Sequence, residues 1–410
     1  MYQPPPSSSY CIDAGAGLAM RRASPWGTAF RAAAGRAFML ACAAALAMPL
    51  DSQARDYVVG VIAGLSGAGK SYGAGIVQGA EMALREINAA GGVNGHKLVL
   101  KVHDDKSDPA RSAIAMRRLL ATAPDVIVGG WGSSQVLAHM DLVEQSAIPY
   151  LIVGATSPAI LNPRNRWIFR VIPGDDVMAD QLAQRALGAW GLKRIAVISD
   201  SNAYGVGSRD LFVTALRKRG AVPVTVQSYH FSATDFTPQL LRIRSTAPDA
   251  LAIFATMPAA PAIMKQARAL GIPVQFIGTG GLLNEAILGA APAASQGTRI
   301  IAYFHQDIDA QTHAWTARYL ETYQGRRVTN PAQAALAYLA VKQIAARCLG
   351  RVGSDRVEIR NCIAQWRGNP LGLGADAFFG AHGQLTLPTV TVEVRGNAFH
   401  LRTEQGPEGK

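Results

Sequence analysis

Two short stretches place small residues and hydroxyls where an anion could be held: Val126-Ile-Val-Gly-Gly-Trp-Gly-Ser-Ser134 and Pro149-Tyr-Leu-Ile-Val-Gly-Ala-Thr-Ser-Pro158. Each begins as an unbroken apolar run, the pattern of a strand buried on both faces of a parallel sheet. Each ends in Gly, Ser and Thr, the residues of a loop at a strand's carboxyl end. Ser133, Ser134 and Thr156 are good helix-opening residues, so a helix is expected after both tips. Neighbouring strand ends beside helix N-termini gather free N–H and O–H donors, and such a nest suits a carboxylate. The chemistry is capture of an acid group, not turnover. The chain shows no Ser-His-Asp spacing and no paired catalytic carboxylates, and no His adjoins these hydroxyls.

The elements that must carry these tips follow from the rhythm of the chain. Residues 57–63 read as a strand, 76–90 as an amphipathic helix stopped by Gly91-Gly92, and 97–103 as a strand ending in Asp104-Asp105. Asp108-Pro109 opens a helix to Ala121, and a helix over 135–146 joins the two focal strands. After Arg170–Pro173 the alternation starts again. Helices over 177–190, 207–219, 235–246 and 259–270 precede strands at 194–199, 222–229, 249–256 and 273–278. Alternating βα units imply a parallel sheet covered on both faces, so the fold class is α/β with two doubly wound blocks. Ligands of such sheets sit beyond the strand carboxyl ends, and a cleft between two blocks is the natural small-molecule site. Beyond Thr298 come an apolar run, helices over 310–324 and 331–349, and a late alternating strand at 389–401 with a turn at Gly396-Asn397.

Other motifs carry less. Gly64-Leu-Ser-Gly-Ala-Gly-Lys-Ser71 has the spelling of a nucleotide phosphate loop. Gly73 and Gly75 would fall in its helix, which argues for a helix starting nearer Ile76 and for a flexible loop over a cleft. Lys70 is then a solvated charge or a contact for an anion. Asp104-Asp105 reads as a polar strand end and helix cap in preference to a metal site. The eight His are scattered and no cysteine spacing resembles a metal site, so neither metal nor cofactor is expected. Cys348 and Cys362, fourteen residues apart around a Gly/Ser turn, are either bridged or separately buried.

With 49% hydrophobic and 17% charged residues, the 410-residue chain can bury a core large enough for two domains. Its net charge of +12 is dispersed, with no Lys/Arg run longer than three and no interleaved aromatics, which argues against nucleic acid. Residues 1–19 are of low complexity, and Met20 is a candidate initiator. Arg21, Arg22, Arg31 and Arg36, the apolar run from Ala37 to Leu50, and Ser52-Gln53-Ala54 form the pattern of a signal peptide cleaved after Ala54. That run is too short to span a bilayer comfortably. Lipidation at Cys42 is the weaker option. The mature protein is expected outside the cytoplasm, not embedded in the membrane, and monomeric.

Taken together, the chain resembles the periplasmic binding proteins for branched-chain amino acids, the type I solute-binding proteins of ATP-driven importers, over about residues 56–400. The resemblance rests on Gly64-Leu-Ser-Gly, AEMALREINAAGG from Ala80 to Gly92, Asp104-Asp105 with Asp108-Pro109, and Gly132-Ser-Ser134 with Gly154-Ala-Thr156. DSNAYGVG from Asp200 to Gly207 and Gln266-Ala-Arg with Gly271 complete it. It implies a non-enzymatic periplasmic protein whose two lobes close on a small carboxylate ligand and pass it to an inner-membrane permease. A sensory receptor of the same fold is the alternative. Lobe one would span 56–174 plus 304–384 and lobe two 175–303 plus 385–401. Residues 1–54 would be extension and signal peptide, and 402–410 a disordered tail.

The resemblance also assigns site residues. Ser133 and Thr156 would hold the carboxylate, with Ser134 and Ala155 completing the two tips. The Gly154 carbonyl would accept from a ligand ammonium, and Tyr72 and Tyr204 would form aromatic walls. Three departures follow. The acidic partner of the ammonium falls at Gly280, with Glu285 a turn into the next helix. A wall aromatic falls at Thr256 or Met257. The family's early disulfide positions are Ser107 and Gly132. Burying an ammonium without a countercharge costs several kcal/mol, so the expected ligand is an aromatic, keto or hydroxy acid without an α-ammonium. Tyr72 and Trp131 would flank its ring.

Overall fold

The computed structural model describes residues 55–325, 330–369, 371 and 376–402. The expected leader and its cleavage after Ala54 lie outside these residues, as does the tail beyond Arg402.

Strands β1 (Tyr57–Ala63), β2 (Leu98–Asp104), β3 (Val126–Gly129), β4 (Tyr150–Ile152) and β5 (Ile168–Arg170) form a parallel sheet in the order β2-β1-β3-β4-β5. The β3 and β4 residues are all buried, as continuous apolar runs require when helices cover both faces. Strands β6 (Ile195–Asp200), β7 (Thr225–Tyr229), β8 (Ala250–Phe254), β9 (Gln275–Gly278) and β10 (Arg299–Ala302) form the parallel part of a second sheet. Strands β11 (Arg367–Gly368) and β12 (Ala377–Phe378) make a small antiparallel pair. The last two strands, β13 (Val390–Arg395) and β14 (Ala398–Arg402), turn at Gly396-Asn397 and extend the second sheet antiparallel to β10. The second sheet is therefore mixed, and Arg402 closes β14 instead of belonging to the tail.

Helices α1 (Lys70–Ala89), α2 (Pro109–Leu120) and α3 (Ser133–Ser146) serve the first sheet; α4 (Asp175–Leu187) and α5 (Ala203–Lys218) serve the second. Asp108 caps α2 by accepting the Arg111 N–H at 2.8 Å. Two sequence expectations need correction. First, α1 starts at Lys70, not near Ile76, because its glycines are contact points and not breakers. A Cβ at Gly79 would lie 2.0 Å from the Ala334 carbonyl oxygen, and one at Gly73 would lie 2.1 Å from that of Gly64. The helix is thus pressed against Pro331–Tyr338 more closely than any larger residue permits. Second, only a single 3-10 turn, Pro158–Ile160, follows the second focal strand. Ser157, not Thr156, caps it, by accepting the Ala159 N–H at 3.4 Å.

Among the described residues the chain passes between the sheets three times. It leaves the first after β5, returns after β10, and leaves again past Gln384. On the return, Ala310–Thr322 and Pro331–Tyr338 pack on α1, where the Tyr319 hydroxyl donates to Gln78 Oε1 at 2.6 Å. The expected helix over 331–349 runs on through a π-helical stretch, Leu339–Ala345, to Val352. Cys348 and Cys362 are bridged, with Cα atoms 5.7 Å apart. At the third passage Leu385 N donates to the Arg170 carbonyl at 2.8 Å, so the first and third passages, both leaving the first sheet, run side by side and parallel. No helix among the described residues is long and apolar enough to cross a membrane.

Candidate functional site

The carboxyl ends of the two sheets face each other across a cavity of about 300 Å³. Gly129 and Gly130 turn the chain out of β3, and Gly130 takes a φ of 71° that disfavours other residues. Gly132 occupies the N-cap of α3, so Ser133 is its first residue and not its cap. The Ser133 hydroxyl instead accepts the Ser157 N–H at 3.2 Å, which ties the two tips together and leaves its hydrogen free for the cavity. The first N–H groups of α3 have no helical partner and carry the positive end of the helix dipole. Ser133, Ser134, Gly154 and Thr156 all line the cavity. Ala155 does not: it is buried, and its N–H is spent on the Gly130 carbonyl at 2.9 Å.

The opposite wall comes from the second lobe: Asp200, Asn202 and Tyr204 at the end of β6, Thr256, Met257 and Pro258 after β8, and Gly280 and Gly281 after β9. Hydrogen bonds among the described residues already join the lobes, and the Met257 N–H donates to the Tyr72 hydroxyl at 3.4 Å. Tyr72 Oη donates to the Gly281 carbonyl at 3.0 Å, Asn284 Nδ2 to Ser71 Oγ at 2.8 Å, and Ala203 N to Ser134 Oγ at 3.1 Å. Burial pushes the Tyr72 hydroxyl up to about 12 and moves Tyr204 further in the same direction, so both hydroxyls stay neutral. Tyr204 Oη lies 3.3 Å from Thr279 Oγ1.

Several expected roles change. Tyr72 and Trp131 stack on each other, with centroids 5.7 Å apart and planes at 14°. They form one continuous wall and leave no slot between them for a ligand ring. Lys70 is exposed and does not line the cavity. In the Gly64–Ser71 loop, donors that a phosphate cradle would need are already in use. Asp104 accepts the Leu65 N–H at 2.8 Å and the Ser66 hydroxyl at 2.7 Å, and Ser107 Oγ accepts the Gly69 N–H at 2.9 Å. A Cβ at Gly69 would fall 2.3 Å from the Trp131 ring, so that glycine exists to seat the indole. At Gly280 a Cβ would lie 2.8 Å from Tyr303 Cε1, which leaves no room for an acidic side chain.

Other lining residues escaped the sequence reading: Gln135, Met178, Asp200, Phe231, Tyr303 and Gln333. Asp200 stood in the DSNAYGVG tip and could have been singled out. Tyr303 and Gln333 arrive on the returning chain, and no local pattern marks them. Gln333 reaches the site by donating to the Val153 carbonyl. Asp200 accepts from Asn202 N at 3.0 Å and Asn202 Nδ2 at 2.9 Å, and burial raises its pKa.

Behind the nest, Arg170 is 3% exposed and holds three acceptors: the Thr156 carbonyl at 2.7 Å, the Ser157 carbonyl at 2.9 Å and Gln384 Oε1 at 2.6 Å. Beside it Asp175 is buried, which drives its carboxyl up to about 7 against the Thr156 and Ser208 hydroxyls and Arg170. Glu285 is the first residue of its helix, not a turn inside it, and it does not line the cavity. Its Oε2 is buried, and burial raises the carboxyl to about 7.

A carboxyl raised in the fold is neutral there while the unfolded chain is already ionised. Its contribution to stability is therefore present below the ordinary value near 4.5 and lost as pH rises towards about 7. We expect Glu285→Gln to raise the thermal midpoint little at pH 4 and clearly at pH 8, by on the order of 2 kcal/mol of stability. Thermal unfolding at both pH values checks this, and an equal effect at both would remove burial as the cause.

A family model described as periplasmic binding protein matches residues 56–398. The Leu/Ile/Val-binding protein of Escherichia coli (strain K12) is 28% identical over 263 residues, 64% of this chain and 71% of that protein. Among solved structures, the branched-chain amino acid transporter substrate binding protein of Streptococcus pneumoniae in complex with isoleucine aligns with a TM-score of 0.77. It is 21% identical and covers 84% of this chain and 98% of its own. A solute binding protein of an ABC transporter from R. palustris in complex with benzoate also gives a TM-score of 0.77, at 19% identity over 84% of this chain and 95% of its own. At these identities the two structures establish the fold, two lobes each built on a largely parallel sheet.

Proposed function

The chain belongs to the periplasmic binding protein family, and from that premise we propose that it captures a small carboxylate-bearing solute between its lobes for an ABC-type importer of the inner membrane. Binding, with no catalysis, is the activity of such a protein. The observation that carries the reading is the convergence of the α3 N-terminus, the Ser133 hydroxyl and the Thr156 tip on one cavity. Buried donors of this kind stabilise a carboxylate at little reorganisation cost. The donors come from the first lobe and the covering groups from the second, so a ligand touching both favours the closed arrangement.

The ligand we infer is an acid without an α-ammonium. Tyr303 fills the space next to Gly280 where a countercharge would otherwise stand, and the wall of Tyr72, Trp131 and Met257 is largely apolar. The relatives fit both possibilities, since one solved structure holds isoleucine and another benzoate. A second reading rests on Asp200, a carboxylate on the cavity wall that an amino acid's ammonium would seek. Calorimetry with leucine, its keto analogue, benzoate and phenylacetate separates them. Our reading expects the acids without an amine to bind more tightly. Tight binding of leucine with rejection of its keto analogue, lost in Asp200→Asn, would establish the second.

A further inference from the structure

The cavity does not end at the nest. Its lining also includes Phe231, just beyond β7 in the second lobe, and Asp108 and Pro109 of the first, and of these Phe231 and Pro109 are exposed. Phe231 lines the same cavity as Ser133 and Thr156, yet it remains 66% exposed. Its ring neighbour is His230, with centroids 4.6 Å apart. An aromatic ring left open at the mouth of an otherwise lined cavity is a surface awaiting a cover.

Size points the same way. About 300 Å³ is the size of a cavity that takes a whole small molecule, at the lower end of the range of roughly 300–1,000 Å³ for such sites. A carboxyl group takes only a small part of that space, and the lining beyond the nest includes Tyr72, Trp131 and Met257.

We propose that Phe231 is a specificity-determining residue that receives the distal, apolar end of the ligand, so that the solute is an acid with a hydrophobic tail long enough to reach the rim. This rests on the carboxylate reading of the nest. A short acid would leave the outer part of the cavity wet, whereas an acid with an aryl-alkyl tail displaces that water and covers the ring.

The test is calorimetry of the wild type, Phe231→Ala and Phe231→Leu with benzoate, phenylacetate, 3-phenylpropionate and 4-phenylbutyrate. The proposal expects the affinity lost in Phe231→Ala to be negligible for benzoate and to grow along the series to about tenfold. Phe231→Leu should recover part of it. Because the ring is exposed, the thermal midpoint of the unliganded protein should not change. A loss equal for all members, or none for the longest acid the wild type binds, would overturn the rim assignment while leaving the nest intact. If the wild type binds no member, this inference is overturned; the carboxylate reading fails with it only if leucine and its keto analogue do not bind either.

Discussion

Combining Ser133→Ala with Thr156→Val lowers affinity for a carboxylate ligand by about a hundredfold or more, while each substitution alone costs about tenfold or more. A hydrogen bond to a charged acceptor contributes about 1.5–3 kcal/mol, and each factor of ten is about 1.4 kcal/mol. Ser133 is 2% exposed and Thr156 5%, so a ligand carboxylate deprived of their hydroxyls finds little water to replace them. The Ser133 change acts twice, because its oxygen also accepts the Ser157 N–H that holds the second tip in register. Calorimetry measures the affinities, and thermal unfolding without ligand tells whether the tip has also loosened. Affinities within threefold of wild type would place the carboxylate elsewhere.

The second large effect is on the fold. Arg170→Met should destabilise the protein by about 3–5 kcal/mol, the range for removing one partner of a buried charged network. The guanidinium satisfies two carbonyls of the nest loop and the Gln384 side chain, and it faces the buried Asp175. A methionine of similar length fills the space but leaves those acceptors unpaired. Chemical denaturation with and without ligand checks it. Because Thr156 is one of the released carbonyls, ligand affinity should fall together with stability. A variant within 1 kcal/mol of wild type would mean that water substitutes for the guanidinium, despite its burial.

Which parts of this were legible in the sequence follows from how local each signal is. The alternation of apolar runs and amphipathic helices reports directly on a parallel sheet covered twice, and the tips of β3, β4 and β6 carry their polar residues within a few positions of the strand. Ser133 and Thr156 are marked in this way, whereas Tyr204 enters only through the family resemblance. The start of α1 is not legible because Gly73 and Gly75 read locally as breakers, whereas their smallness answers to backbone distant in the sequence or folded back on the helix, the carbonyls of Asn330 and Gly64. Tyr303 and Gln333 were missed because they reach the cavity from a segment that returns after the whole second lobe has been built. The stacking of Tyr72 on Trp131 likewise depends on the depth at which Gly64 and Gly69 seat the indole, a distance that residue types alone do not encode.

The three passages between the sheets carry a mechanical consequence. A single tether would let two bodies swivel and slide in any direction, whereas parallel tethers fastened side by side, as Arg170 and Leu385 are, behave like a door hung on several pins. Bending about one axis stays soft while torsion and shear become stiff. Fluorophores attached to the outer faces of the two halves should therefore report one reproducible pair of separations, ajar and shut. Nicking a single tether with a protease should leave the halves joined and still able to meet.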